Sequence, residues 1–272
     1  SFDVSDDTLS ISVRFLTENR TETLALLKTA LIQPRFDPDA IERVRQQVLS
    51  ILATKAQDPT DTAQRVWTEQ AFGDHAYGTS YQGTESSIAA LTRADLLAAH
   101  QNLLVRDTLS ISAAGDITAE DLGTILDDLL GDLPAGSALE TAPLQLDIPT
   151  GLTVVDMPTP QSVAIFGHAG IDRNHPDFFA AFILNTILGG QGIESRLTAE
   201  VREKRGLTYG ISTVLISKDQ ANVMLGQVAS ANDRINAAIE VIRDEWRKLA
   251  RDGVTAEELQ AAQTYLTGAY PL

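Results

Sequence analysis

Cysteine is missing from all 272 residues, which removes both a disulfide framework and a thiolate metal site. The redox compartment is thereby left open. Histidine is scarce: His75, His100, His168 and His175 are the four, and no two stand four apart. That spacing excludes two imidazoles gripping a metal from one helical face. No apolar run approaches the roughly 20 residues that a bilayer span needs, and the opening SFDVSDDT has neither a basic nor an apolar stretch. Basic residues are few, 21 Lys and Arg against 37 Asp and Glu, for a net charge of −16. Such a surface repels phosphate backbones and anionic headgroups, so nucleic acid is a poor partner. Ala-rich, Lys-poor chains are also acidic for solubility alone. The charge excludes more than it proposes.

What is present is a foldable pattern of both kinds. With 43% hydrophobic residues the chain can bury a sizeable core, and its length allows one domain or two. Thr8 to Leu16 alternates as a strand does, and a helix opens at Asn19 with Glu22 three residues on. Asp37 then Pro38, with Ile41, Val44, Val48, Ile51 and Leu52 at helical spacing, predicts a second helix. Further helices are predicted over 61–72, from the Thr92–Asp95 box, and over 119–130, with a strand over 108–113 before the last. Asp132 to Pro149 holds three prolines and little periodicity, so 138–150 is assigned as a linker. Beyond it come strands at 152–156 and 162–169, a helix at 177–188, a glycine break, and a short helix at 195–203. Strands at 208–216 and 223–229 precede a long helix at 233–251 and a last one capped by Thr255 and Glu258. Strands grouped before pairs of helices predict the α+β class.

An internal repeat organises this list. ISVRFLTENRTETLALLKTALI followed by FDPDAIERVRQQVLSI has the order of VMLGQVASANDRINAAIEVIRDEW followed by VTAEELQAAQTYL, about 215 residues later. Strand, Asn, Arg, long helix, break and capped helix recur, as a duplicated domain leaves them. Roughly 70 residues before Leu9 have no counterpart to those before Asn222. A fragment of a longer protein is the expectation.

Several phrases carry a family resemblance. FDPDAIERVRQQV, GDHAYGTSYQGTESSIAALTRADLLAAHQNLL and AAGDITAEDLGTILDDLLGDLPAG resemble the first domain of M16 (pitrilysin- and insulinase-type) metallopeptidases downstream of the zinc motif. LGGQGIESRLTAEVREKRGLTYGIST resembles the second. The resemblance implies two related M16-type domains of the LuxS/MPP-like metallohydrolase fold, each a mainly antiparallel sheet against helices and both incomplete here. Their bounds would be 1–137 and 151–272. In active members they close as a clam shell on unfolded peptide.

Activity in that family rests on His-x-x-Glu-His and a third ligand, a Glu, on a downstream helix. Two imidazoles hold Zn²⁺ while the Glu takes a proton from its water. Aligning ERVRQQVLSIL with that helix puts Ile51 at the ligand position, or Ser50 if the register moves by one. Ile has no donor atom, so no metal is expected on this chain. Residue periodicity alone would read Ile51 as extending a core stripe through Val44 and Val48.

The resemblance also implies a positive site. In the family an Arg and a Tyr seven residues apart reach another domain or subunit's zinc centre, where they orient substrate and stabilise the tetrahedral intermediate. Arg202 and Tyr209 in VREKRGLTYGI meet that spacing. A guanidinium offers fixed donors to a carbonyl and a phenol donates to an oxyanion. Arg205, four residues from Tyr209, is the competitor. Without the resemblance, Arg202 reads as a surface charge paired with a nearby Glu, and Tyr209 as a strand residue with a buried ring. Gly189, Gly190 and Gly192 lack the spacing of a phosphate loop and read as a helix-ending turn. His100 reads as a packed or edge histidine.

Three functions follow. The chain is the non-catalytic subunit of a zinc endopeptidase, with zinc in the partner; or a scaffold homologue; or a piece of a self-sufficient peptidase, against which Ile51 stands. Peptide substrate, a zinc-bearing M16 partner, self-association and the periplasm are what the resemblance implies.

Overall fold

The computed structural model describes residues 1–137, 141–190 and 195–269. Gly192 and residues 138–140, at the head of the predicted linker, lie outside the described residues. Two compact units are present: one formed by Ser1–Ala53 and Tyr81–Thr141, the other by Thr54–Ser80 and Ala142–Leu272.

In the first unit a hairpin of β1 (Phe2–Val4) and β2 (Leu9–Ile11) pairs antiparallel, Phe2 opposite Ile11. Helices α1 (Arg20–Ile32), α2 (Pro38–Lys55, its last residues beyond this unit), α4 (Glu85–Ala90), α5 (Arg93–Leu103) and α6 (Ala119–Leu130) follow. Thr92 and Asp95 form the predicted capping box of α5. Its core gathers Leu31, Leu104, Leu129 and Leu133, with Leu9, Ile11, Leu27 and Ile32 around them. Helix α2 contributes no buried residue. Val44 is 50% exposed and Ile51 45%, so the core-stripe reading of Ile51 is corrected: the stripe is only partly covered, with Ile41, Val48 and Leu52 of intermediate burial. A polar fastening holds α2 as well, for Arg45 donates to the carbonyls of Ile88, Ala89 and Leu91 at the end of α4.

The second unit is built on an antiparallel sheet of β3 (Gln161–Ala169), β5 (Asn222–Ala231) and β4 (Gly210–Ser217), with β5 in the centre. Gln161 faces Ala231, and Gly210 faces Ala229. Helix α3 (Pro59–Phe72), capped by Asp58, lies with this unit, its Trp67 over Gly167. Helix α7 (Phe178–Gly189), α8 (Ile235–Asp252) and α9 (Ala256–Ala269) complete it. Ala238, Ile242, Glu245 and Leu249, at helical spacing, form the buried face of α8. The core holds Leu188, Leu197, Val201, Val228, Ala238 and Ile242.

Mixed helices and small antiparallel sheets agree with the predicted class. Three strands do not form as drawn. The first shortens to Leu9–Ile11, and 108–113 and 152–156 make no ladder. Leu152 is 69% and Val154 77% exposed. Alternation supplies a face, but a strand also needs a neighbour for its N–H and C=O groups, and none is at hand among the described residues. Nor is the linker region free of contacts: Leu144, Leu146 and Ile148 pack on the cluster of Ala71, Phe72, Tyr77, Ala221 and Val223.

Candidate functional site

Arg202 and Tyr209 flank a turn whose two sides are held by different forces. On the first side Ser195, 1% exposed, donates from Oγ to Thr198 Oγ1 at 3.0 Å and accepts the Thr198 N–H at 3.3 Å. A π-helical segment, Thr198–Glu203, begins there. Leu197 and Val201, four apart, are wholly buried, each burial contributing about 1.5–3 kcal/mol. With that face inward, Arg202 stands exposed.

Gly206 closes the segment at φ +59°, the left-handed region where a Cβ is strained. Its N–H donates to Arg202 O and the Leu207 N–H to Val201 O, both at 2.9 Å. This resembles a Schellman closure, widened by the π turn before it. The backbone is thereby returned to Arg202 before it runs on to Tyr209.

The second side is held by hydroxyls. Thr208, 7% exposed, shares its proton between Gly210 O (2.8 Å) and Ala229 O (2.5 Å) and accepts the Gly210 N–H (3.0 Å). Ser230 Oγ donates to Leu207 O at 2.5 Å, and Arg234 Nη1 to Gly206 O at 3.4 Å. Between these anchored neighbours the Tyr209 side chain is 89% exposed. A buried Tyr209 ring is thus not what the structure has.

Charge is distributed unevenly along this segment. Arg196 grips Glu258, Nε to Oε1 at 2.6 Å and Nη2 to Oε2 at 2.7 Å. Glu200 receives Lys204 Nζ on Oε1 and Arg205 Nη1 on Oε2, each at 2.5 Å, while Arg205 Nη1 also donates to Glu200 O at 2.7 Å. The bonds from Lys204, and next from Arg205, pull the Glu200 carboxyl down to about 2. The bond from Arg196 does the same for Glu258, also to about 2. The Arg202 guanidinium has no hydrogen bond or ion pair among the described residues. Arg205, the competitor, is committed to Glu200.

Sequence reasoning found the pair and missed its frame. The Glu200–Lys204 spacing is legible as a helical i,i+4 pair, whereas nothing local marks Thr208 or Ser230. Ile51 offers no donor atom, and among the described residues no group of three or more His, Asp or Glu is placed to hold a metal ion. His100 is bound at Nε2 to Leu31 O (2.8 Å) and lies edge-on to Phe36.

Residues 90–266 match the family described as the peptidase M16 inactive domain. An uncharacterized zinc protease of Mycobacterium tuberculosis is 28% identical over 247 residues, 89% of this chain and 56% of the relative. The non-peptidase homolog YmxG of Helicobacter pylori is 25% identical over 271 residues, 99% of this chain and 62% of the relative. The chain thus spans little more than half the length of these curated relatives. A peptidase M16 inactive domain from Pseudomonas fluorescens superposes with a TM-score of 0.83 at 27% identity, over 93% of this chain and 61% of that one. The periplasmic protease PqqL of Escherichia coli shares the fold alone, with a TM-score of 0.68 at 18% identity over 93% of this chain and 28% of that one. The family match takes in more than half of the residues, including the whole Arg202–Tyr209 turn, and the chain belongs to the peptidase M16 inactive-domain family.

Proposed function

We propose that this chain is a non-catalytic M16 subunit that completes a partner's zinc endopeptidase site with Arg202 and Tyr209. One observation carries the reading. Of the three cations between 202 and 205, Lys204 and Arg205 are held by Glu200, while Arg202 is uncommitted among the described residues and the Tyr209 phenol stands in solvent. A side chain kept unpaired on an anchored turn is preorganised for an external acceptor. Arg202 holds a peptide carbonyl, and Tyr209 donates to the oxygen on which negative charge builds. Peptide is therefore the substrate class and the zinc-bearing M16 subunit the partner. The division into domains 1–137 and 151–272, joined by 138–150, belongs to the same reading, with Ile51 at the position of the lost ligand. The periplasm is the compartment proposed, as the family resemblance implies.

The test is a reconstituted pair with the zinc-bearing subunit. Tyr209→Phe keeps the ring and removes one donor, and turnover is expected to fall by roughly 10²-fold. Arg202→Ala is expected to be as damaging and to weaken substrate binding, while Arg205→Ala does much less. Unchanged turnover in Tyr209→Phe would leave the scaffold reading, which the name of the Helicobacter relative favours.

A further inference from the structure

The segment 196–205 carries four cations, Arg196, Arg202, Lys204 and Arg205. Glu258 takes the first through two hydrogen bonds, and Glu200 takes the last two, one on each carboxylate oxygen. Glu200 is mostly covered, its side chain 19% exposed, whereas Lys204 and Arg205 are 63% and 43% exposed. Removing its charge would therefore release two cations that already lie near the surface, beside the Tyr209 turn. Packing does not require this arrangement. Leu197 and Val201 anchor the segment from the other face, so the two ion pairs act chiefly on the charge that the exposed face shows.

We propose that Glu200 is a specificity-determining residue: by holding Lys204 and Arg205 it leaves Arg202 as the one cation of 196–205 without an acidic partner among the described residues, and so selects a lone peptide carbonyl over clustered carboxylates. This rests on the proposed role of Arg202 and Tyr209. Three free cations within four residues would attract an acidic peptide segment electrostatically and bind it in several unproductive registers. One free cation on this segment, with the exposed Glu203 next to it, favours a single register and repels a second carboxylate. Glu200 works through Lys204 and Arg205 and touches no substrate.

The test uses the isolated chain and needs no partner. Acetyl-Glu-Glu-Glu-amide is titrated at low salt and followed by the amide signals of Gly206 and Tyr209. Glu200→Gln is expected to bind it roughly threefold more tightly than the native chain, a gain lost above about 0.15 M salt. Adding Lys204→Gln and Arg205→Gln should abolish the gain. No gain, or a gain that survives those two changes, overturns the proposal. Phenylglyoxal labelling of the native chain is a second arm, independent of how Glu200→Gln folds. Arg202 should be modified several-fold faster than Arg196 and Arg205, and equal rates would sink the idea. Failure here with Tyr209→Phe still impaired in the reconstituted pair removes the charge selection alone. The converse removes the catalytic reading, and with it the carbonyl selection, and leaves only the masking of Lys204 and Arg205 by Glu200.

Discussion

A carboxylate gripped by one or two cations resists protonation, and the resistance is a statement about folding. Glu200 and Glu258 titrate at about 2 in the folded chain, against about 4.3 for free glutamate. Their folded values are depressed, so the stability they contribute is fully present above about pH 4.5 and is lost as pH falls toward 2. Melting temperature should drop steeply over that window. Glu258→Gln is expected to lower it at pH 7 and to flatten the drop, because the Arg196 grip is gone at every pH. A Glu258→Gln curve parallel to that of the native chain would show that the pair carries no linkage. Two glycines separate strain from collision at the same scale. Gly206→Ala meets no atom within 4 Å, so only its φ of +59° opposes it, at roughly 1–2 kcal/mol. Gly226→Ala drives a Cβ into the Phe166 ring, which lies opposite it in the ladder. Overpacking of about 1–3 kcal/mol is expected there, toward the upper end because the Cβ meets three ring carbons at once, and it outweighs the roughly 0.5–1 kcal/mol by which Ala suits a strand backbone better than Gly. Urea denaturation should rank Gly226→Ala as at least equally destabilised, and only Gly206→Ala should also disturb the Tyr209 amide.

Among the elements, legibility followed the range of the forces. Helices whose ends are set by a neighbouring side chain were readable: the Thr92–Asp95 and Thr255–Glu258 caps stand where the sequence puts them. Long strands that find partners, β3, β4 and β5, were readable within two residues at each end. The stretch 152–156 alternates as well as β2 does, yet it makes no ladder, because pairing depends on a neighbour that the local pattern does not contain. Helix α4 was missed: it is six residues long and capped by Thr84 and Ser87 inside a stretch that reads as turns. The repeat was legible in the order β2–α1–α2 and β5–α8–α9, since it depends only on order. At the candidate site, the Arg202–Tyr209 spacing came from resemblance to a family. The hydroxyls that anchor it did not, because Ala229 and Ser230 reach it from a strand more than twenty residues away.

At the scale of the whole molecule, the apolar surface left in water argues for association. Phe2, Val4, Leu16 and Leu26 are each more than half exposed in the first unit, as are Leu152, Val154 and Phe179 in the second. Such side chains scattered singly are ordinary on a monomer, but where they gather into one patch they mark a surface that meets another. The three-stranded sheet also has β3 and β4 as its outer strands, and outer strands carry backbone groups that can pair with a further chain. Neither feature is offset by charge neutrality, since −16 keeps distant copies apart and weakens association at low salt. The two effects differ in their response to salt, which separates them. Sedimentation should show a dimer or higher oligomer of the isolated chain, with the associated fraction rising between about 0.05 and 0.5 M salt as the repulsion is screened. Phe179→Ser should reduce that fraction if the α7 face takes part, because it removes an aromatic side chain that is 75% exposed. A monomer at every salt and protein concentration would show that these side chains stay in water without driving copies together, and would rule self-association out.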